Sequence, residues 1–142
     1  MASTVLTEFQ GACRAAYEQV QMLQDLYEHL AGQAGHRDLT SINVDQRIGE
    51  LRHFQELLSG KLQQQDLLPT RPDPEKEGLL ELITELKAAF GGANRPAASE
   101  RLAAEEAELL QATGQLLAHE QDEAIADAHA RTRDAIARLS AG

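Results

Sequence analysis

Seven residues recurring at alternating spacings of four and three, Phe9, Cys13, Ala16, Val20, Leu23, Tyr27 and Leu30, constrain this chain more than any other feature. An α-helix turns about 100° per residue, so the pattern draws a narrow apolar seam along one long helix, over about residues 4–31. The segment AGQAGHRDLT then loses the period. Ser41 is placed to cap a second helix that carries Ile48, Leu51, Phe54, Leu58 and Leu62 on one face and ends near Leu67.

Three of the four prolines fall in LLPTRPDPEKEG, which reads as a linker over 67–74. Asp73 followed by Pro74 makes an N-cap and first-turn pair for a short third helix that runs to Phe90. Gly91 and Gly92 end it, and Asn94 with Pro96 restarts the chain near Ala97. From Ala97 to Ser140 the only breaker is Gly114. The preferred reading places a tight turn near Gly114 to Glu120, giving two helices that double back. The rival is one continuous helix of about 43 residues, at 1.5 Å per residue.

Composition agrees with helices throughout. Ala, Leu, Glu and Gln dominate, tryptophan is absent and aromatics make up 4% of the chain. The expected fold class is therefore all-α: a single domain over 1–142, an antiparallel four-helix bundle with the Pro-rich linker as its long crossover and an extra short helix after it. With 13 basic against 23 acidic residues the net charge is −10, which opposes phosphate. Nucleic acid and anionic membrane are thereby disfavoured as partners. No stretch approaches the ~20 apolar residues that span a bilayer, and the N-terminus has no basic region leading into an apolar run, so a cytoplasmic location is expected. The single cysteine, Cys13, sits on the apolar seam as a small buried hydrophobe.

Against this background two ionisable residues fall where the period demands apolar ones. Glu106 lies within about 60° of Leu102, Leu109, Leu110 and Thr113, and His129 within about 60° of Ile125, Thr132 and Ile136. Both are expected to face inward, where a charge is costly unless paired or metal-bound. A turn between the last two helices would let them meet. Such a pair would raise the pKa of the histidine and lower that of the glutamate.

The stretch LKAAFGGANRPAASERLAAEEAEL followed by QDEAIADAHARTRD resembles a bacterial ferritin-like four-helix family of unknown function. The likeness covers roughly residues 79–134, with a thinner echo in Ala16-Tyr17 and in the run Glu50, His53 and Glu56-Leu57. It implies a ferritin-type bundle with a carboxylate-bridged metal site, iron or manganese being the candidate ions, and no established reaction.

A two-metal carboxylate centre needs a glutamate from each of two helices and a Glu-x-x-His pair from each of the others. Glu106 supplies one glutamate, Glu50 with His53 one pair, and His129 half of the second. Ala126 stands where the partner of His129 belongs, and the first helix has no carboxylate in its seam. The candidate metal residues are therefore Glu106, His129, Glu50 and His53. Their site is either reduced, a single metal, or vestigial, a buried Glu106–His129 pair. Histidine phosphotransfer is disfavoured, because His53 is followed by Phe54, Gln55 and Glu56 in place of the lysine and glycine such a site wants. The function expected is a ferritin-like bundle with a reduced or vestigial site, related to metal or oxidative stress. The alternative is a non-enzymatic structural or adaptor bundle that forms a homodimer or higher homo-oligomer.

Overall fold

A computed structural model of the chain describes residues 7–31, 43–67, 81, 84, 85 and 95–141. The described residues are all-helical and contain no strand: α1 spans Glu8–Ala31, α2 Val44–Gln64, α3 Arg95–His119 and α4 Glu123–Ala141. The linker beyond Leu67 and most of the short helix expected up to Phe90 lie outside them, as does Ser41.

The ends of the helices are set by local hydrogen bonds. Thr7 and Gln10 cap α1 reciprocally: the Thr7 hydroxyl accepts from Gln10 N at 3.1 Å and Gln10 Oε1 accepts from Thr7 N at 3.0 Å. At α2 the cap is Asn43, whose side chain accepts from Gln46 N at 3.0 Å, so the helix begins two residues beyond the expected Ser41. It closes with Asp66 N and Leu67 N reaching back to the carbonyls of Gln63 and Leu62. That motif needs a left-handed residue, and Asp66 supplies it at φ 59°. Leu67 then packs against the core.

The last 47 described residues form two helices, as preferred over a continuous one, but the turn falls at Glu120–Asp122. Gly114 is an interior residue of α3. A lone glycine costs a helix about 1 kcal/mol relative to alanine, which tertiary packing readily outweighs. The true stop is chemical: Asp122 accepts from Ile125 N at 3.1 Å and so caps α4.

Each helix packs against two others, α1 on α2 and α3, and α4 on α2 and α3. Side-chain ties record how they are aligned. Gln65, just after α2, reaches Cys13 near the start of α1, and Arg52 bonds Glu28 near the end of α1 at 2.8 Å. Lys61 on the last turns of α2 pairs with Glu120 and, at 2.9 Å, with Asp122 in the α3–α4 turn.

The core follows the helical stripes. α1 buries Cys13, Ala16, Val20, Leu23, Tyr27 and Leu30, all six of them seam residues read from the sequence, while Phe9 packs at its edge. α2 buries Leu51, Phe54, Leu58 and Leu62. The stripe of α3 is Leu102, Glu106, Leu109, Thr113 and Leu116. That of α4 is Ile125, Ala128, Thr132, Ala135 and Leu139, so of the expected line Ile125 and Thr132 are buried while His129 and Ile136 are half-buried beside it. Ala128 and Ala135 are buried on this stripe, and the half-buried His129 falls on its flank. Among the described residues no helix is long and apolar enough to cross a membrane.

Candidate functional site

Four polar side chains, one from each helix, meet in the middle of this core. They are Tyr27 of α1, Arg47 of α2, Glu106 of α3 and Thr132 of α4, none of them more than 3% exposed. Arg47 donates to Glu106 twice, through Nε to Oε2 at 2.9 Å and through Nη2 to Oε1 at 2.6 Å. The Tyr27 hydroxyl donates to Oε2 at 2.8 Å, and Nη2 of Arg47 also donates to the Thr132 hydroxyl at 3.0 Å. Thr132 in turn donates to the carbonyl of Ala128 at 3.0 Å. Arg47 and Glu106 sit on α2 and α3, helices whose backbones do not pack directly, so their pair crosses the core diagonally.

A carboxylate out of water is tolerable here because both its oxygens accept charge-assisted bonds. Burial alone would lower the pKa of Arg47, but the bonds and charge of Glu106 outweigh it and hold the guanidinium above its usual value. Burial and the adjacent Glu106 charge push the Tyr27 phenol well above 10.0. Tyr27 is thus a fixed donor, Arg47 a fixed cation and the arrangement a closed set of complementary charges.

Glu106 therefore faces inward as expected, but its partner is not His129. The His129 ring lies beside Thr113, Nδ1 to Oγ1 at 2.9 Å. The Thr113 hydroxyl also lies 2.8 Å from the carbonyl of Leu109 and 3.1 Å from that of Leu110. Burial and the nearby Arg133 lower the pKa of this histidine, the opposite of the rise expected from a Glu106 partner. Large angular tolerance in the sequence reading hid the difference. A residue some 60° off a stripe touches the flanking turn of its neighbour and not the centre.

Glu50 approaches the centre from its edge. Its Oε1 accepts from Arg47 Nη1 at 3.1 Å and its Oε2 from Arg131 Nη1 at 3.3 Å, with the side chain 18% exposed. His53 is exposed, one turn further along α2. Glu50 and His53 share the wall of a cleft of about 280 Å³ between α2 and α4, together with Phe54, Asp127 and Arg131. Glu106, His129, Glu50 and His53 are not gathered around one point. Among the described residues no group of three or more His, Cys, Asp or Glu is arranged to hold a metal ion.

The residues present do not fit a carboxylate-bridged metal. The oxygens such an ion would need from Glu106 already accept from Arg47 and Tyr27, and a guanidinium occupies the neighbouring space with a full positive charge. Sequence reasoning missed Arg47, although the signal was present. At 100° per residue Arg47 lies about 20° from Phe54 and Leu58, the middle of the apolar face of α2. A search confined to carboxylates and histidines passed it by.

No family model, curated protein or solved structure matches the chain.

Proposed function

We propose that this chain is a non-enzymatic helical bundle of ferritin type, antiparallel in its four helices, whose central carboxylate site is vestigial and is closed by its own arginine. The observation that carries this reading is the pair of hydrogen bonds from Arg47 to Glu106, which uses both oxygens of the one carboxylate at the centre of the core. The opposed order of the α1–α2 ties, Cys13 with Gln65 and Glu28 with Arg52, supports the antiparallel arrangement. Such a bundle acts through its surface, as a structural or adaptor protein, and a cytoplasmic homodimer or higher homo-oligomer is the form proposed for it.

The test is metal titration of protein purified without a chelating tag. Ferrous iron or manganese added to the wild type should show no stoichiometric binding, and Glu106→Ala should behave the same. One or two ions held per chain and lost in Glu106→Ala would overturn the reading in favour of a working metal site. Sedimentation velocity across a range of concentrations checks the self-association.

A further inference from the structure

Away from the central residues, where α1 meets α2, lies a pocket of about 280 Å³ lined by Tyr17, Gln21, Gln24, Asp25 and Gln55. Helical geometry assembles it: Tyr17, Gln21 and Gln24 follow one another at four and three residues along one face of α1, and Gln55 comes from α2. None of these residues belongs to the Arg47–Glu106 network.

The polar atoms of this wall are unevenly satisfied. Gln21 is 7% exposed, and its Nε2 donates to the Tyr17 hydroxyl at 3.1 Å. Its Oε1 is buried without a hydrogen-bond partner, and so is Oε1 of Gln24. The third such atom among the described residues, Nε of Arg14, belongs to a residue outside the pocket. Buried acceptors are nearly always paired, because an unpaired one has lost its water for nothing. Here two stand on one wall. With its oxygen accepting from Gln21, the Tyr17 hydroxyl keeps its proton to give. Asp25 adds a carboxylate, and no cationic side chain lines the pocket.

These groups together call for a ligand that brings donors and positive charge. A divalent metal is poorly served by one carboxylate among neutral amides. An anion would meet Asp25 with nothing to offset the repulsion. We propose that the pocket binds the ammonium head of a small primary amine, with N–H groups directed at Oε1 of Gln21 and of Gln24 and the charge facing Asp25. Both oxygens are enclosed in the free chain, and because the terminal torsion of a glutamine is broad each reaches the ligand by rotation of its amide, which for Gln21 releases the bond to Tyr17. The pocket is large enough to take a short alkyl chain behind the head. The net charge of −10 favours the approach of any such cation.

The experiment is calorimetric titration of the full chain with butylamine, and in parallel with tetramethylammonium, which carries the same single charge but no N–H donor. Saturable binding of the amine near one per chain is expected, with none for tetramethylammonium. Asp25→Asn should weaken it by about tenfold or more, the size of a charge-assisted contact. Gln21→Leu combined with Gln24→Leu should abolish binding while leaving thermal stability equal or higher, since it removes two unpaired acceptors. If that double variant fails to fold, Asp25→Asn alone decides. Absence of saturable binding to the wild type, equal binding of both cations, or unchanged affinity in a folded variant would overturn the proposal.

Discussion

Arg47 and Glu106 face each other across the diagonal of the four helices, joined at 2.9 and 2.6 Å, with the arginine 3% exposed and the glutamate 0%. A pair so enclosed cannot relax toward water when one member is lost. Tyr27, Thr132 and Glu50 are each held to it by a single hydrogen bond. The consequences can be separated residue by residue.

Tyr27→Phe removes one donor to a buried carboxylate and leaves the packing almost unchanged. A loss of about 1.5–3 kcal/mol is expected in urea unfolding, the range for hydrogen bonds to charged groups. The pH dependence has a definite sign. The folded phenol has a pKa above its unfolded value of 10.0, so its contribution is complete below about pH 10 and is lost as pH rises through the folded value. Absorbance titration of the folded protein should show a late phenolate step that is absent in Tyr27→Phe.

His129 has the opposite dependence. Its folded pKa lies below the unfolded 6.5 because burial and Arg133 disfavour the imidazolium. Its contribution is present above about pH 6.5 and is lost as pH falls through the folded value. His129→Asn, which keeps a hydrogen-bonding group beside Thr113 but does not titrate, should flatten the acid side of the stability curve. Imidazole proton shifts in NMR give the pKa directly, and a value above 6.5 would contradict the placement of this ring.

Gly114→Ala separates an interior helical position from a turn. A Cβ built there meets nothing nearer than Cε1 of His129 at 3.7 Å, an ordinary contact. The substitution should stabilise by about 0.5–1 kcal/mol in thermal or urea unfolding, the usual gain of alanine over glycine within a helix. A loss of similar size would mean that the chain bends at Gly114.

Much of this fold can be read directly from residue order. The seam of α1 and the face of α2 emerge from spacing alone because their buried positions carry large apolar side chains. In α4 the buried Ile125 and Thr132 are legible, but the buried Ala128 and Ala135 do not differ from the exposed Ala126 and Ala130, so the middle of the stripe is not. The inward position of Glu106 was likewise readable, since one carboxylate among leucines stands out. Its partner was not, for a physical reason: Arg47 lies 59 residues away on a helix that does not pack against α3, and no local period announces a diagonal contact. Arg47 itself was recoverable from its place on the face of α2, and asking what neutralises Glu106 leads to it.

Arg47 is the counter-charge of Glu106, and a double-mutant cycle with Arg47→Met and Glu106→Leu measures that coupling directly in urea unfolding. Arg47→Met leaves the Glu106 carboxylate buried without a counter-charge and should cost about 3–5 kcal/mol, whereas Glu106→Leu leaves Arg47 only the edge carboxylate of Glu50 and should cost less. The double variant should recover at least about 2 kcal/mol of the summed loss, because two apolar side chains leave no stranded charge. Losses that add to within about 0.5 kcal/mol would show the two residues to be independent and contradict the central pair.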